Sequence, residues 1–409
     1  MMKILHTSDW HLGRSLYDKK RHDEFEAFLD WLIGFISQNN IDLLLVAGDI
    51  FDTTTPGNRA QELYYRFLGK IPQTGCRHVV ITGGNHDSPS FLDAPKIILG
   101  SLDIHVVGSA SENIEDEIVV LKNKQGITEM IVCAVPFLRD RDVRTADADE
   151  TPGDKSRKLL QGIASHYKDI VETARKVQDA GKPVPLIGMG HLFTRDAQTT
   201  EGDGVRELYI GSIAHVDGAD ISRGFDYMAL GHLHLAQKIA GSKTVRYSGS
   251  PIQMSFSEAG HTKKVIVAEF GEEEPVITEH PVPCFQELVR ISGDPDQITS
   301  RIEALKETGS NAWLEIEITT LTDLTNITSR FEELLAGSKL EILRIKNKSM
   351  VDRALTPLND TETLETLSDA DVFVRCLDAF EIPEEERAAL TETYNEAKAS
   401  WLAADPNAS

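Results

Sequence analysis

The chain has 409 residues, 41% of them hydrophobic and 26% charged, with a formal net charge of -23. That length exceeds one ordinary core and calls for two or three domains. The charge argues against broad non-specific binding to polyanions, and no apolar run approaches the roughly 18 residues needed to span a bilayer. The segment through Leu12 lacks the apolar stretch of a secretory leader. The four cysteines, Cys76, Cys133, Cys284 and Cys376, are widely spaced and form no C-x-x-C pair, which speaks against a disulfide framework or a thiolate zinc site. A cytoplasmic protein with reduced thiols and no membrane attachment is expected.

In chain order, apolar strand-like runs fall at 3–7, 42–47, 78–82, 131–135, 186–189 and 227–230, with helical patterns between several of them, as at 23–38 and 59–69. This alternation predicts an α/β domain. Strands at 244–248 and 264–270 then close it, giving a first domain over 1–275. Glu272, Glu273, Glu274 and Pro275, followed by Pro281 and Pro283, have the composition of a linker. A compact βαβαβ pattern follows within 284–347, with strands at 285–291, 312–319 and 340–345 and helices at 297–306 and 327–335. From 361 to 403 the chain reads as acidic and helical. Phe373, Leu377 and Phe380 share one helical face, and Leu390, Tyr394, Ala397 and Trp401 share another. The two faces suit a hairpin packed on its own protein or a docking element for a partner.

Five polar clusters each stand just past a predicted strand: Asp9-Trp10-His11, Gly48-Asp49, Gly84-Asn85-His86-Asp87, Gly190-His191 and Gly231-His232-Leu233-His234. In open α/β sheets that carboxyl edge is where ligands bind. Carboxylates, imidazoles and one amide oxygen suit divalent manganese, iron or zinc, and no cysteine is offered to a softer metal. Asp49 is the natural bridging ligand, since one carboxylate can serve two ions, and a pair of ions about 3.5–4 Å apart can activate water and clamp a phosphate. The metal ligands expected are Asp9, His11, Asp49, Asn85, His191, His232 and His234. Eight other histidines, His6, His22, His78, His105, His166, His215, His261 and His280, show no such spacing and are expected to be surface or core imidazoles.

With these clusters in this order, the first 270 residues or so resemble the calcineurin-like metallophosphoesterases. The opening run from Ile4 through Thr7-Ser8-Asp9-Trp10-His11 to Gly13 resembles the SbcD-type nuclease subunits in particular. So do Arg246-Tyr247-Ser248-Gly249-Ser250-Pro251 and Ser255-Phe256-Ser257-Glu258. The resemblance implies a β-sandwich flanked by helices, a small capping domain and a C-terminal helical tail. It implies that Asp9, His11, Asp49 and His234 hold one ion and that Asp49, Asn85, His191 and His232 hold the other. Manganese is the expected metal, with magnesium, iron or zinc as alternatives. His86 would contact the scissile phosphate and serve as an acid, a role suited to an imidazole. Some relatives place a histidine three residues after the bridging aspartate, where this chain has Asp52. Asp52 is therefore expected to orient His86 and favour its protonated form.

The activity so implied is hydrolysis of DNA phosphodiesters, as an exonuclease on duplex ends and an endonuclease on single strands and hairpins. The implied partners are DNA, a coiled-coil ATPase docked on the C-terminal helices, and a second copy of the chain within a heterotetramer. No G-x-x-x-x-G-K-[ST] loop is present, so ATP must bind elsewhere. The helix carrying Leu63, Tyr64 and Phe67 is one candidate dimer surface. Arg14, Lys19, Lys20 and Arg21, and further on Arg139, Arg141 and Arg144, are candidate DNA contacts. A small-molecule phosphodiesterase or pyrophosphatase on the same metal core is the competing reading.

Overall fold

The run Leu43–Ala47 shows why the first domain is layered. All five residues are buried, but they part by parity: Leu43, Leu45 and Ala47 enter one apolar cluster and Leu44 and Val46 another. Successive strand side chains point to opposite faces, so a strand apolar on both needs cover on both. In the computed structural model of the chain, a helical layer covers one face and a second sheet covers the other. The structure describes residues 2–144, 150–178, 183–198, 216–239, 241–320, 324–347, 369–379 and 382–404.

The strands are β1 (Met2–Thr7), β2 (Ser15–Leu16), β3 (Lys19–Lys20), β4 (Leu43–Ala47), β5 (His78–Thr82), β6 (Ile104–Val107), β7 (Ile118–Lys122), β8 (Thr128–Ala134), β9 (Leu186–His191), β10 (Tyr227–Gly231), β11 (Gln237–Lys238), β12 (Val245–Tyr247), β13 (Lys264–Phe270), β14 (Val276–Pro281), β15 (Leu288–Gly293), β16 (Trp313–Ile318) and β17 (Glu341–Asn347). One six-stranded sheet has the order β14-β13-β1-β4-β5-β6 and the other β11-β12-β10-β9-β8-β7. The central strands of each sheet run parallel; antiparallel strands close both edges of the second sheet and the β14 edge of the first, whose other edge, β6, is parallel to β5.

Helices His22–Gln38 and Asn58–Lys70 pack Phe25, Phe28, Leu63 and Phe67 onto the outer face of the first sheet. Helix Pro152–Gln178 packs Ile163, Tyr167 and Ile170 onto the outer face of the second. Between the sheets lie Ile4, Leu45 and Val80 from one side and Val132, Met189 and Tyr227 from the other. The fold is thus a β-sandwich flanked by helices. A polar staple also crosses it. His6 on β1 is fully buried, and its Nε2 donates to the Leu230 carbonyl at 3.2 Å while its Nδ1 accepts from the Tyr227 hydroxyl at 3.0 Å. Both ring nitrogens are satisfied in the neutral tautomer, and burial pushes the pKa down to about 3.

The chain divides into two compact units, Met1–Leu288 and Val289–Ser409. In the second, helices Pro295–Glu307 and Leu324–Leu335 alternate with the three strands of the sheet β15-β16-β17. Ile298, Ile302 and Phe331 pack on Leu314 and Ile316. Asp294 caps the first of these helices and Gln297 returns the bond, a complete capping box. Further on, helices Asp369–Ala379 and Glu384–Ala404 are tied by a Phe373–Tyr394 ring stack, with centroids 4.1 Å apart, and by a Lys398–Asp369 ion pair at 3.1 Å. Phe380 lies outside the described residues, as do His215 and the side chain of Trp401.

Three expectations need correcting. Residues 276–281 are not linker but the edge strand β14, antiparallel to β13. An edge strand exposed on most of its residues has little apolar signal to announce it, and the first unit accordingly runs past 275 to Leu288. Strands β6 and β7 and the helix Pro152–Gln178 had no counterpart among the predicted elements. Leu63, Tyr64 and Phe67 are 1–2% exposed and belong to the core, so they cannot form a dimer surface. No helix among the described residues is long and apolar enough to cross a membrane.

The staple predicts an acid-sensitive fold. His6 is held neutral in the folded chain, whereas its ordinary pKa is 6.5. Below that value the unfolded chain binds more protons than the folded one, so stability is lost as the pH falls from about 6.5 toward 3. The variant His6→Gln keeps a donor and an acceptor but does not titrate. Its urea midpoints at about pH 7 and pH 5 are expected to lie closer together than those of the parent.

Candidate metal centre

The chain leaves the ends of β1, β4, β5, β9 and β10 through loops bound directly to one another. Asp9 N–H donates to the Gly48 carbonyl at 3.0 Å, and His11 N–H to the Asp49 carbonyl at 2.9 Å. Trp10 turns the other way, fully buried against Phe28 and Phe67, and anchors the loop while its neighbours face the centre. Asp87 joins the next two loops, its carboxylate accepting from Ile50 and Phe51 N–H at 3.1 and 2.9 Å and from Gly84 N–H at 2.8 Å. Two glycines make the approach close. A Cβ on Gly84 would stand 2.1 Å from Asp49 Oδ1, and one on Gly231 only 1.8 Å from the Ala47 carbonyl oxygen.

The backbone is strained where it carries the donors. Asp9, His11, Asp49 and His232 have φ of 54°, 47°, 51° and 103°. Such conformations cost of order 1–3 kcal/mol each and persist only where the surroundings dictate them.

The donor atoms gather in three adjoining sets, one of them His11 with Asp52 and His86; the other two are made of expected ligands. Asp9, His11 and His234 form one of these two, and Asp49, His191 and His232 the other. His11 Nε2 lies 3.2 Å from His234 Nε2 and 3.5 Å from Asp49 Oδ2. His191 Nε2 lies 3.3 Å from the same Asp49 oxygen. Asn85 Oδ1 is 3.0 Å from both His191 Nε2 and His232 Nδ1. Ligand atoms sharing one ion at about 2.0–2.2 Å stand about 3 Å apart, so these spacings fit divalent cations. His11 Nε2 and His234 Nε2, 3.2 Å apart, can share a proton as an N–H···N hydrogen bond or both turn lone pairs to one cation. All seven expected ligands are brought together.

Burial and close packing shift the ionisation of these groups in opposite directions. Burial raises Asp9 to about 6 against the pull of His191 and His234. Burial opposes charge on Asp49 too, but His191, His11 and His86 outweigh it and hold the carboxyl well below its ordinary value. His191 loses charge to burial and regains more from Asp49 and Asp9, ending at about 9. His11 and His232, mainly desolvated, fall to about 4 and about 3.

His86 stands 4.9 Å from His11, ring to ring and edge-on. Its Nδ1 donates to the Asp52 main-chain carbonyl at 2.8 Å. The Asp52 carboxylate lies in one cluster with His11 and His86, but its Oδ1 bonds Arg14 Nη1 at 3.2 Å and stands 3.4 Å from His11 Nδ1, the latter off hydrogen-bond geometry. The expected carboxylate–imidazole pair is therefore replaced by a main-chain contact, because the turn after Asp49 presents its carbonyl rather than its side chain. Two candidate DNA contacts also change. Arg21 is 1% exposed and paired with Glu24 at 2.8 Å, and Arg144 is held by Asp140 and Glu150.

Several supporting residues had no assigned task. Ser8 Oγ donates to Asp9 Oδ2 and lies 2.8 Å from Ser248 Oγ. His191 Nδ1 donates to the Ala47 carbonyl at 2.9 Å, and His234 Nδ1 to Glu258 Oε1 at 3.1 Å. Glu258 is buried, which opposes its charge, but Lys263 and His234 hold it well below the usual carboxylate range. Asp87 and Glu258 do lie in stretches that stood out in sequence. Spacing cannot separate a carboxylate that binds an ion from one that accepts main-chain or imidazole N–H groups.

Fold and donor geometry together define the class. The profile of the family described as calcineurin-like phosphoesterase matches residues 2–235, and one described as type 5 capsule protein repressor C-terminal domain matches residues 284–380. The chain is 36% identical over 396 residues to the SbcD component of nuclease SbcCD from Escherichia coli (strain K12), covering 96% of this chain and 97% of that protein. The proteins of the same name from Rhodobacter capsulatus and Bacillus subtilis are 33% and 32% identical over 297 and 336 residues. These alignments cover 70% and 78% of this chain and 71% and 79% of theirs. The chain belongs to the SbcD family of calcineurin-like phosphoesterases.

The glycine at 84 gives a direct test. In Gly84→Ala the new Cβ collides with the Asp49 carboxylate and, at 2.3 Å, with the Asp49 main-chain nitrogen. Binding of Mn²⁺, measured by titration calorimetry, is expected to weaken about tenfold or more, with far-ultraviolet circular dichroism unchanged.

Proposed function

We propose that this chain is the nuclease subunit of an SbcCD-type complex and hydrolyses DNA phosphodiester bonds, in repair, recombination and replication. It acts on duplex ends as an exonuclease and on single strands and hairpins as an endonuclease. One observation carries the choice of DNA over a small phosphate ester: the similarity runs the length of both chains, so the unit after Leu288 is shared as well as the phosphoesterase core.

Asp9, His11, Asp49 and His234 would hold one ion, and Asp49, Asn85, His191 and His232 the other. The donors are nitrogen and oxygen only, which admits Mn²⁺, the ion proposed, along with Mg²⁺, Fe²⁺ or Zn²⁺. When bound, the two ions supply the Lewis acidity that activates water and offsets charge on the phosphate. His86 lies outside both donor sets proposed for the ions. With Nδ1 occupied by the Asp52 carbonyl, Nε2 is the atom left to contact the scissile phosphate and to protonate the leaving oxygen. Asp52 acts as a positioning residue, through its carbonyl on His86 and its carboxylate beside His11.

The small α/β unit serves as a capping domain that helps place DNA. The C-terminal hairpin docks a coiled-coil ATPase, and Val374 and Leu390, 50% and 39% exposed, support that role. The chain forms a homodimer within a heterotetramer in the cytoplasm. With Arg21 and Arg144 engaged and a net charge of -23, the isolated chain grips duplex DNA weakly, and the ATPase supplies the rest.

A 3′-labelled duplex is expected to be degraded with Mn²⁺ and spared with chelator, while cyclic nucleotides are spared in both. Rapid turnover of cyclic nucleotides with an intact duplex would reverse the choice of substrate. His86→Gln is expected to lose about 10²–10⁴-fold in rate. Asp52→Asn keeps the main-chain contact to His86 and is expected to lose much less.

A further inference from the structure

The imidazoles of the centre are not backed alike. His191 rests on a main-chain carbonyl, that of Ala47. His234 rests on a side chain, Glu258, which is 1% exposed. The other Glu258 oxygen accepts Met254 N–H at 3.0 Å and pairs with the Lys263 ammonium. Lys263, itself 8% exposed, also donates to the His234 carbonyl at 3.0 Å and to Ser250 Oγ at 2.8 Å. One buried ion pair thus grips both the ring and the main chain of His234.

Burying two charges is costly, and apolar residues of similar volume often serve stability as well or better. The pair is therefore poorly explained by folding alone, and its place behind one imidazole suggests another task. We propose that Glu258, neutralised by Lys263, is a positioning residue that fixes His234 with its proton on Nδ1 and makes Nε2 a stronger donor to a divalent cation. The proposal rests on the reading of His234 as a metal ligand. A carboxylate on the far nitrogen of an imidazole sets its tautomer and orientation and raises its basicity. Both Glu258 oxygens are already engaged, so the residue acts through His234 rather than on the ion. Lys263 keeps this support from adding net negative charge to a centre that already holds the Asp9, Asp49 and Asp87 carboxyl groups. His234 sits with Asp9 and His11 and not in the set of His191 and His232, so the effect belongs to one ion of the two.

The test uses the full chain stripped of metal. Calorimetric titration with Mn²⁺ compares the parent with Glu258→Gln and His234→Ala, and ¹⁵N imidazole spectra of the metal-free proteins report the His234 tautomer. The parent is expected to show two binding events. Glu258→Gln, similar in size but uncharged, is expected to weaken one event about 10–100-fold, leave the other in place, and move His234 from a single tautomer to a mixture. A purely structural role would lower the unfolding midpoint without changing those signals. A folded Glu258→Gln that binds both ions like the parent with unchanged His234 signals, or that weakens both equally, overturns the proposal. If His234→Ala also binds both ions like the parent, the ligand assignment itself has failed. Should Glu258→Gln not fold, Glu258→Asp keeps the charge and shortens the reach: selective weakening supports the proposal, and two unchanged events overturn it.

Discussion

The structure turns on the Asp49 carboxylate. It is 2% exposed, accepts His86 N–H at 2.9 Å and faces His11 and His191 at 3.5 and 3.3 Å. An anion so far from water persists only among partners that return what desolvation takes away. Supplying them requires loops from both sheets to reach one point. The glycines, the left-handed residues and the Asp87 cross-braces follow from that requirement. The sandwich brings five strand ends near each other, and the demand of one buried charge draws their loops into contact.

Such a demand divides labour between neighbours in sequence. Within Asp9-Trp10-His11, the outer two face the centre while Trp10 is sealed into the apolar layer beside Phe28 and Phe67. At Gly84–Asp87, Asn85 offers its amide oxygen, His86 stands aside on the Asp52 carbonyl, and Asp87 spends its carboxylate on main-chain N–H groups. Neighbouring residues of these short motifs thus have different physical tasks.

Much of this was legible in the chain itself. Strands buried on both faces, such as β4 and β5, announce themselves as unbroken apolar runs, and a polar cluster directly after such a run marks the ligand edge. Elements with one exposed face were harder to see: β14 shows water most of its residues and passes for linker. Tertiary pairing was also hidden. Nothing in the spacing tells that Asp52 offers its carbonyl to His86 while its carboxylate turns to Arg14. Nor does spacing reveal that Arg21 is sealed beside Glu24 within a basic cluster. Composition reports which groups are present, whereas only the folded backbone decides which atom of each faces which neighbour.

The His86–Asp52 contact has a further consequence for how this site can diversify. Every residue type carries a carbonyl, so the bond that orients the imidazole does not depend on which side chain occupies position 52. That side chain is left to set the local charge beside His11 and Arg14. The geometry of the acid and the electrostatics around it are thus written in separate parts of one residue, and the second can be retuned by mutation while the first stays put.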